Sequence, residues 1–278
     1  MPSNKGIQVV ETVAHLRRQV EAWKQAGERI ALVPTMGALH AGHISLIKVA
    51  RRRRAKVITS IFVNPTQFAP TEDFSKYPRT FDTDCAMLHE AACDLIFAPT
   101  PTTMYPDGFC STVTLSGPAK AGLEDLFRPT HFDGVATVVA KLFTQCRPDI
   151  AIFGEKDYQQ LQVVTRMAHD LDLGVNVIGS PTIREKDGLA MSSRNRYLSP
   201  EERQKASLVP ETLKRAITAI HNGAAIDAVV HGAFNPFAFG HCSCFHAQSN
   251  QANSRSHPRC ASLGHGARCC EIQTAWGH

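Results

Sequence analysis

Residues 56–63, KVITSIFV, form a continuous apolar and β-branched run of strand length. A strand of this kind has no solvent face, so it must be covered on both sides. A parallel sheet packed between helices covers it; a half-exposed antiparallel sheet does not. Residues 30–33, 95–98 and 150–153 are shorter apolar runs, and 175–178, interrupted by Asn176, reads as a further strand. Between them lie segments of helical spacing at 12–27, 44–54, 80–93, 135–146 and 158–171. In the first, Val13, Leu16, Val20 and Trp23 share a face, Thr12 caps the start and Gly27 ends it. Strands alternating with helices in this way predict the α/β class, a doubly wound, Rossmann-like parallel sheet.

The chain's 278 residues, 43% of them hydrophobic, supply a sizeable core and exclude a disordered chain. No apolar run reaches the roughly 18 residues of a membrane helix, and the N-terminus leads into a helical pattern without the apolar region of a signal peptide. A net charge of +5 suits a small anionic substrate and is too weak a signal for nucleic acid. The four arginines at 51–54 close a helix, where cations complement the dipole and stay solvated. At 199–202, Ser-Pro-Glu-Glu is a helix start with Ser as cap, expected to open a helix to about 222 that bends at Pro210. The expected division is therefore 1–185 as the Rossmann-like domain and 186–230 as the start of a smaller C-terminal domain. The remainder, 231–278, holds five of the nine cysteines and six histidines but only Leu263 and Ile272 among Leu, Ile and Val, with no periodicity. Its Cys and His spacings match no usual zinc layout.

Four polar segments carry the chemistry. Residues 34–43, PTMGALHAGH, run from a buried strand into a helix start. His40 and His43, three apart, point the same way beside backbone N–H groups that favour an anion, and Gly42 leaves room for a phosphate. Residues 153–160, FGEKDYQQ, follow another strand. Lys156 can neutralise phosphate charge, Asp157 can orient a ribose hydroxyl or a metal-bound water, and Gln160 can bond an uncharged oxygen. Residues 191–196, MSSRNR, offer two hydroxyls and two guanidiniums to phosphates. In 62–68, FVNPTQF, Asn64 and Gln67 present neutral amides.

Together these segments, with YPRT (77–80), RPTHFDGV (128–135) and DGLAMSSRNRYLS (187–199), resemble the pantothenate synthetases, the pantoate–β-alanine ligases of the HxGH nucleotidyltransferase superfamily. The resemblance runs over about 7–222. It implies that ATP, pantoate and β-alanine are the substrates and that a pantoyl adenylate forms with release of pyrophosphate. It places His40, His43, Lys156, Ser192 and Arg194 among the catalytic groups. Met36, Gly154, Asp157, Met191 and Ser193 join them around ATP, and Gln67, Gln160 and Asn64 surround pantoate. Mg²⁺ is expected to travel with ATP rather than in a protein cage, with Asp84 as a candidate at one remove from it. A cytoplasmic homodimer, touching neither membrane nor nucleic acid, is also implied.

The family ends in a strand-containing lid over the ATP site, and 231–278 lacks that pattern. This segment reads as an out-of-frame ending and the C-terminal domain as incomplete or disordered. Two rivals to the enzyme therefore stand: an inactive or binding-only product without its lid, and another nucleotidyltransferase of the HxGH type.

Overall fold

The computed structural model of the protein describes residues 6–68 and 74–233. The chain order is β1 (Gln8–Val10), α1 (Val13–Gln25), β2 (Arg29–Thr35), α2 (Ala41–Arg52), β3 (Ala55–Ile61), α3 (Phe81–Glu90) and β4 (Leu95–Phe97). Two one-turn helices follow, α4 (Pro101–Met104) and α5 (Glu124–Phe127), then α6 (His131–Cys146), β5 (Ile150–Gly154), α7 (Tyr158–Asp170) and β6 (Asn176–Ser180). Helices α8 (Pro200–Ala206), α9 (Leu208–His221) and α10 (Ile226–Ala233) close the described chain.

The six strands form one sheet in the order β1-β4-β3-β2-β5-β6, and every pairing is parallel. Alternate residues feed two separate cores. Ile30, Leu32, Ile58, Leu95, Phe97, Ala151 and Phe153 meet α1, α6 and α7 on one face. Ala31, Val33, Val57, Ile96, Ile150 and Ile152 meet α2 and α3 on the other. The continuous apolar runs in the sequence therefore reflect two buried faces rather than one. Leu16 and Val20 anchor α1 and are fully buried, each contributing about 1.5–3 kcal/mol of apolar transfer.

From β2 the chain winds one way through β3 and β4, while β5 lies on its other side. Right-handed crossovers then put α2 and α3 on one face and α6 and α7 on the other. The carboxyl ends of β2 and β5 flank the point where the winding reverses, which is where open parallel sheets bind ligands.

Three local expectations are revised. Residues 8–10 form a strand, so the N-terminus does not lead straight into a helix; three residues carry no periodicity, and β1 exists because β4 pairs with it. Helix α6 starts at His131, four residues before the apolar run begins. The helix opened by Ser199 does have its Ser–Glu capping box, but it breaks at Ser207 instead of bending at Pro210. Proline has no N–H to give Ala206, and in the first turn of α9 that donor is not needed. The tail set apart in the sequence lies, beyond Ala233, outside the described residues. No described helix is long and apolar enough to cross a membrane.

Candidate active site

A cavity of about 260 Å³ opens at the reversal point. Met36, His40, His43, Asn64, Gln67, Gly154, Lys156, Asp157, Gln160, Met191, Ser192, Ser193 and Arg194 all line it. Of the expected site residues only Asp84 lies elsewhere. Segments far apart in the sequence, from Met36 to Arg194, are thus brought to one site.

The histidine pair begins α2 by an unusual route. His40 is the cap residue, and its Nδ1 accepts from the Gly42 N–H at 3.1 Å; His43 Nδ1 accepts from the His40 N–H at 3.3 Å. The two rings close a reciprocal capping box, a task Ser and Glu usually share. Because each Nδ1 is an acceptor, each ring must carry its proton on Nε2. Burial, then the charges of Lys156 and Arg196, lower the pKa of His40 to about 4. Burial, then neighbouring His40 at a centroid distance of 4.1 Å, lowers that of His43 to about 3. Both rings are neutral Nε2–H donors at neutral pH. The space beside Gly42 is taken by the His40 ring: a Cβ there would sit 2.8 Å from His40 Cε1. The glycine is required by the cap, whatever room it also leaves for a ligand.

Asp84 explains how the preceding loop holds its shape. Gly37 and Ala38 both have left-handed backbone, with φ of 81° and 51°. Buried Asp84 accepts the Ala38 N–H at 3.0 Å on one oxygen, and the Leu39 N–H at 2.9 Å and Thr80 Oγ1 at 3.1 Å on the other. These bonds give Asp84 a structural task in holding the histidine loop, and it is absent from the lining of the cavity. Ser193, which lines the cavity, donates its hydroxyl to Ala38 O at 2.9 Å and so docks the 191–196 loop on the histidine loop. Ser192 Oγ accepts from Arg194 N–H at 3.2 Å, and the Arg194 guanidinium lies 5.9 Å from the Tyr77 ring centre.

On the β5 side, Lys156 Nζ donates to Asp157 Oδ1 at 3.2 Å. Burial raises the Asp157 pKa, but Lys156, with Arg194 and His43, outweighs it and holds the carboxyl below its ordinary range. The Asp157 side chain is half exposed, at 50%, so this is a modest effect in a solvated group. Gln159, beside Gln160, is fully used elsewhere. It accepts from Glu124 N–H and donates to Pro118 O and Asp125 Oδ1, each at 2.9 Å.

The amide end differs from expectation at Asn64. Its Nδ2 donates to Gln67 Oε1 at 3.1 Å and Gly134 O at 3.2 Å, while Oδ1 accepts from Tyr105 OH at 2.7 Å and Thr66 Oγ1 at 3.0 Å. At 1% exposure and with its bonds made, Asn64 orients Gln67 rather than offering an amide of its own. Gln67 Nε2 meets Met36 Sδ at 3.1 Å, a weak acceptor that a better one can displace. Behind this end stand Phe62, Val135, Val138, Val139 and Leu142, an apolar wall from the end of β3 and from α6. At helical spacing that wall reads as core from the sequence alone. Glu124, Arg128 and His131 also line the cavity, and no local sequence signal marks them other than the RPTHFDGV resemblance.

Among the described residues no three His, Cys, Asp or Glu side chains converge as a metal-binding group. The hydrogen-bond donors round the cavity are cationic or neutral, the set expected for polyphosphate oxygens, and Asp157 and Glu124 are the carboxylates among its lining residues.

Comparison with known proteins agrees with the geometry. The family model described as pantoate-β-alanine ligase matches residues 8–258, a span that continues into the segment set apart in the sequence. Pantothenate synthetase 2 of Bradyrhizobium diazoefficiens is 59% identical over 226 residues, covering 81% of this chain and 80% of the relative. The crystal structure of pantothenate synthetase from Thermus thermophilus is 48% identical with a TM-score of 0.78, over 82% of this chain and 80% of the other. The pantoate-β-alanine ligase of Francisella tularensis, solved in complex with β-γ ATP and β-alanine, is 37% identical with a TM-score of 0.71, over 75% and 80%. Agreement of that span and identity, on a sheet whose winding puts the matched motifs round one cavity, makes this chain a member of the pantoate–β-alanine ligase family.

Proposed function

We propose that this chain joins pantoate to β-alanine at the expense of ATP, in two steps at the one cavity. A pantoate carboxylate oxygen attacks the α-phosphorus, the bond to the bridging oxygen breaks, and pyrophosphate leaves. The β-alanine amine then attacks the acyl carbon and loses a proton, and AMP departs. The observation that carries this reading is the lining of the cavity, which combines histidine, lysine and arginine side chains suited to phosphates with Gln67, Gln160 and apolar side chains suited to a branched hydroxy acid.

In this reading His40 and His43 donate Nε2–H bonds to phosphate oxygens and to the charge developing at phosphorus. Lys156 and Arg194, with Ser192, neutralise and hold the triphosphate. Met36, Gly154, Asp157, Met191 and the Ser193 backbone border the nucleotide. Gln67 and Gln160 bind pantoate, and Asn64 aligns Gln67. Little proton transfer is needed in the first step, so positioning and charge stabilisation supply the acceleration. Mg²⁺ enters as part of the ATP substrate, with phosphate and water as ligands.

Residues 1–185 act as the nucleotide- and pantoate-binding unit and 186–230 as the start of the lid. By its resemblance to the family, the active species is a homodimer in the cytoplasm. Sedimentation equilibrium tests the dimer. Turnover is tested by incubating the chain with ATP and pantoate, with and without β-alanine. Pyrophosphate release should require pantoate, and AMP and pantothenate should appear only when β-alanine is added. No pantoate-dependent pyrophosphate overturns the proposal; equal release with unrelated acids points to another nucleotidyltransferase.

A further inference from the structure

The RPTHFDGV segment has no role in the chemistry above, yet three of its residues converge on Gln67. Arg128 donates through NH2 to the Gln67 carbonyl oxygen at 2.9 Å, and His131 Nδ1 meets the same oxygen at 2.9 Å. A carbonyl only accepts, so His131 carries its proton on Nδ1, the opposite tautomer to His40 and His43. Its Nε2 is then an acceptor, 3.4 Å from Arg128 NH1. Glu124 Oε1 takes Arg128 NH1 at 2.9 Å, with both side chains only 13% exposed. That pair fixes the guanidinium so that its second arm reaches Gln67. Gly134 completes the arrangement. Its carbonyl holds Asn64 Nδ2, and a Cβ on it would lie 2.8 Å from Gln67 N and closer still to Thr66. Only a residue without a side chain lets α6 approach this backbone.

We propose that Arg128, His131 and Gly134 are positioning residues for pantoate: they clamp the main chain of Gln67 so that its amide is fixed in the pantoate end of the cavity. The inference rests on the reading of Gln67 as a pantoate ligand. The clamp acts through Gln67 and not through ATP. A loose Gln67 weakens pantoate binding, whereas the histidine and 191–196 loops keep their hold on the nucleotide.

The test compares His131→Leu, which removes the donor, with His131→Asn, whose Nδ2–H stands where Nδ1–H stood. Each is made alone and with Gln67→Ala, and read as pantoate-dependent pyrophosphate release. His131→Leu should raise the KM for pantoate roughly tenfold, the cost of losing one well-placed buried hydrogen bond, with the KM for ATP unchanged within about twofold. His131→Asn should recover most of that loss. With Gln67 already Ala, His131→Leu should add nothing. A parallel rise in both KM values, or an undiminished effect in the Gln67→Ala chain, overturns the clamp. If the unsubstituted chain releases no pyrophosphate, the reading of function fails instead. The clamp is then judged by crystal structures of the two variants, where Gln67 should leave Asn64 and Met36 in His131→Leu only. An unmoved Gln67 in His131→Leu overturns it as well.

Discussion

Replacing Asp84 by Asn separates a structural carboxylate from a metal-linked one. Asp84 is buried, and its two oxygens accept the Ala38 and Leu39 amides at 3.0 and 2.9 Å. Asn keeps one carbonyl oxygen, so one amide stays paired while the other faces an NH₂ group. The lost bond is to a charged acceptor, about 1.5–3 kcal/mol, and it leaves a buried N–H unsatisfied. Ala38 is also held at a φ of 51°, a conformation a non-glycine residue adopts only when its surroundings impose it. A loss of about 3 kcal/mol follows, or a fall in Tm of roughly 6–12 °C for a chain of this size. Because Ala38 O anchors Ser193, both phosphate loops loosen together. The pyrophosphate-releasing step should therefore slow by roughly tenfold or more. The assays are thermal unfolding by circular dichroism and pyrophosphate release across a Mg²⁺ titration. An unchanged Tm with a raised Mg²⁺ requirement would refute this reasoning and tie Asp84 to the metal.

Three further outcomes follow from the same geometry. His43→Ala removes one preorganised donor and should lower the adenylation rate roughly 10²–10³-fold; a loss under tenfold would remove His43 from that role. Gly42→Ala pushes the His40 ring out of the cap, so helix α2 should lose about 1 kcal/mol and activity should fall with it. A Tm equal to that of the unsubstituted chain would count against this. The pH dependence is signed by the lowered histidine pKa values, about 4 and 3. Between there and the unfolded value near 6.5 the unfolded chain binds more protons, so stability rises with pH in that window and falls as pH drops through it. NMR titration should find both rings neutral down to about pH 5, and a midpoint near 6.5 for either would be decisive against their burial.

Much of the fold was legible because its physics is local. The runs at 30–33 and 56–63 announce strands buried on both faces, and Thr12 and Ser199 announce helix starts, because capping and periodicity act over a few residues. Most of the candidate site was legible too, since strand-end loops bearing His40, Lys156 and Gln67 follow directly from the alternation. β1 was not legible, because a three-residue strand owes its existence to β4. Nor was the break at Ser207, since a proline is accommodated both at a bend and in the first turn of a new helix.

What the sequence by itself determined is the α/β class, the two buried faces of the sheet and the chemical types gathered at its carboxyl edge. Only the tertiary structure decided what each of those groups is free to do. Asp84 and Ser193 shape loops, Asn64 is saturated, and the three pocket histidines divide into two tautomers. The reason is that a donor or acceptor has its role set by whichever partner lies within about 3 Å. In this chain those partners come from 46, 70 and 155 residues away.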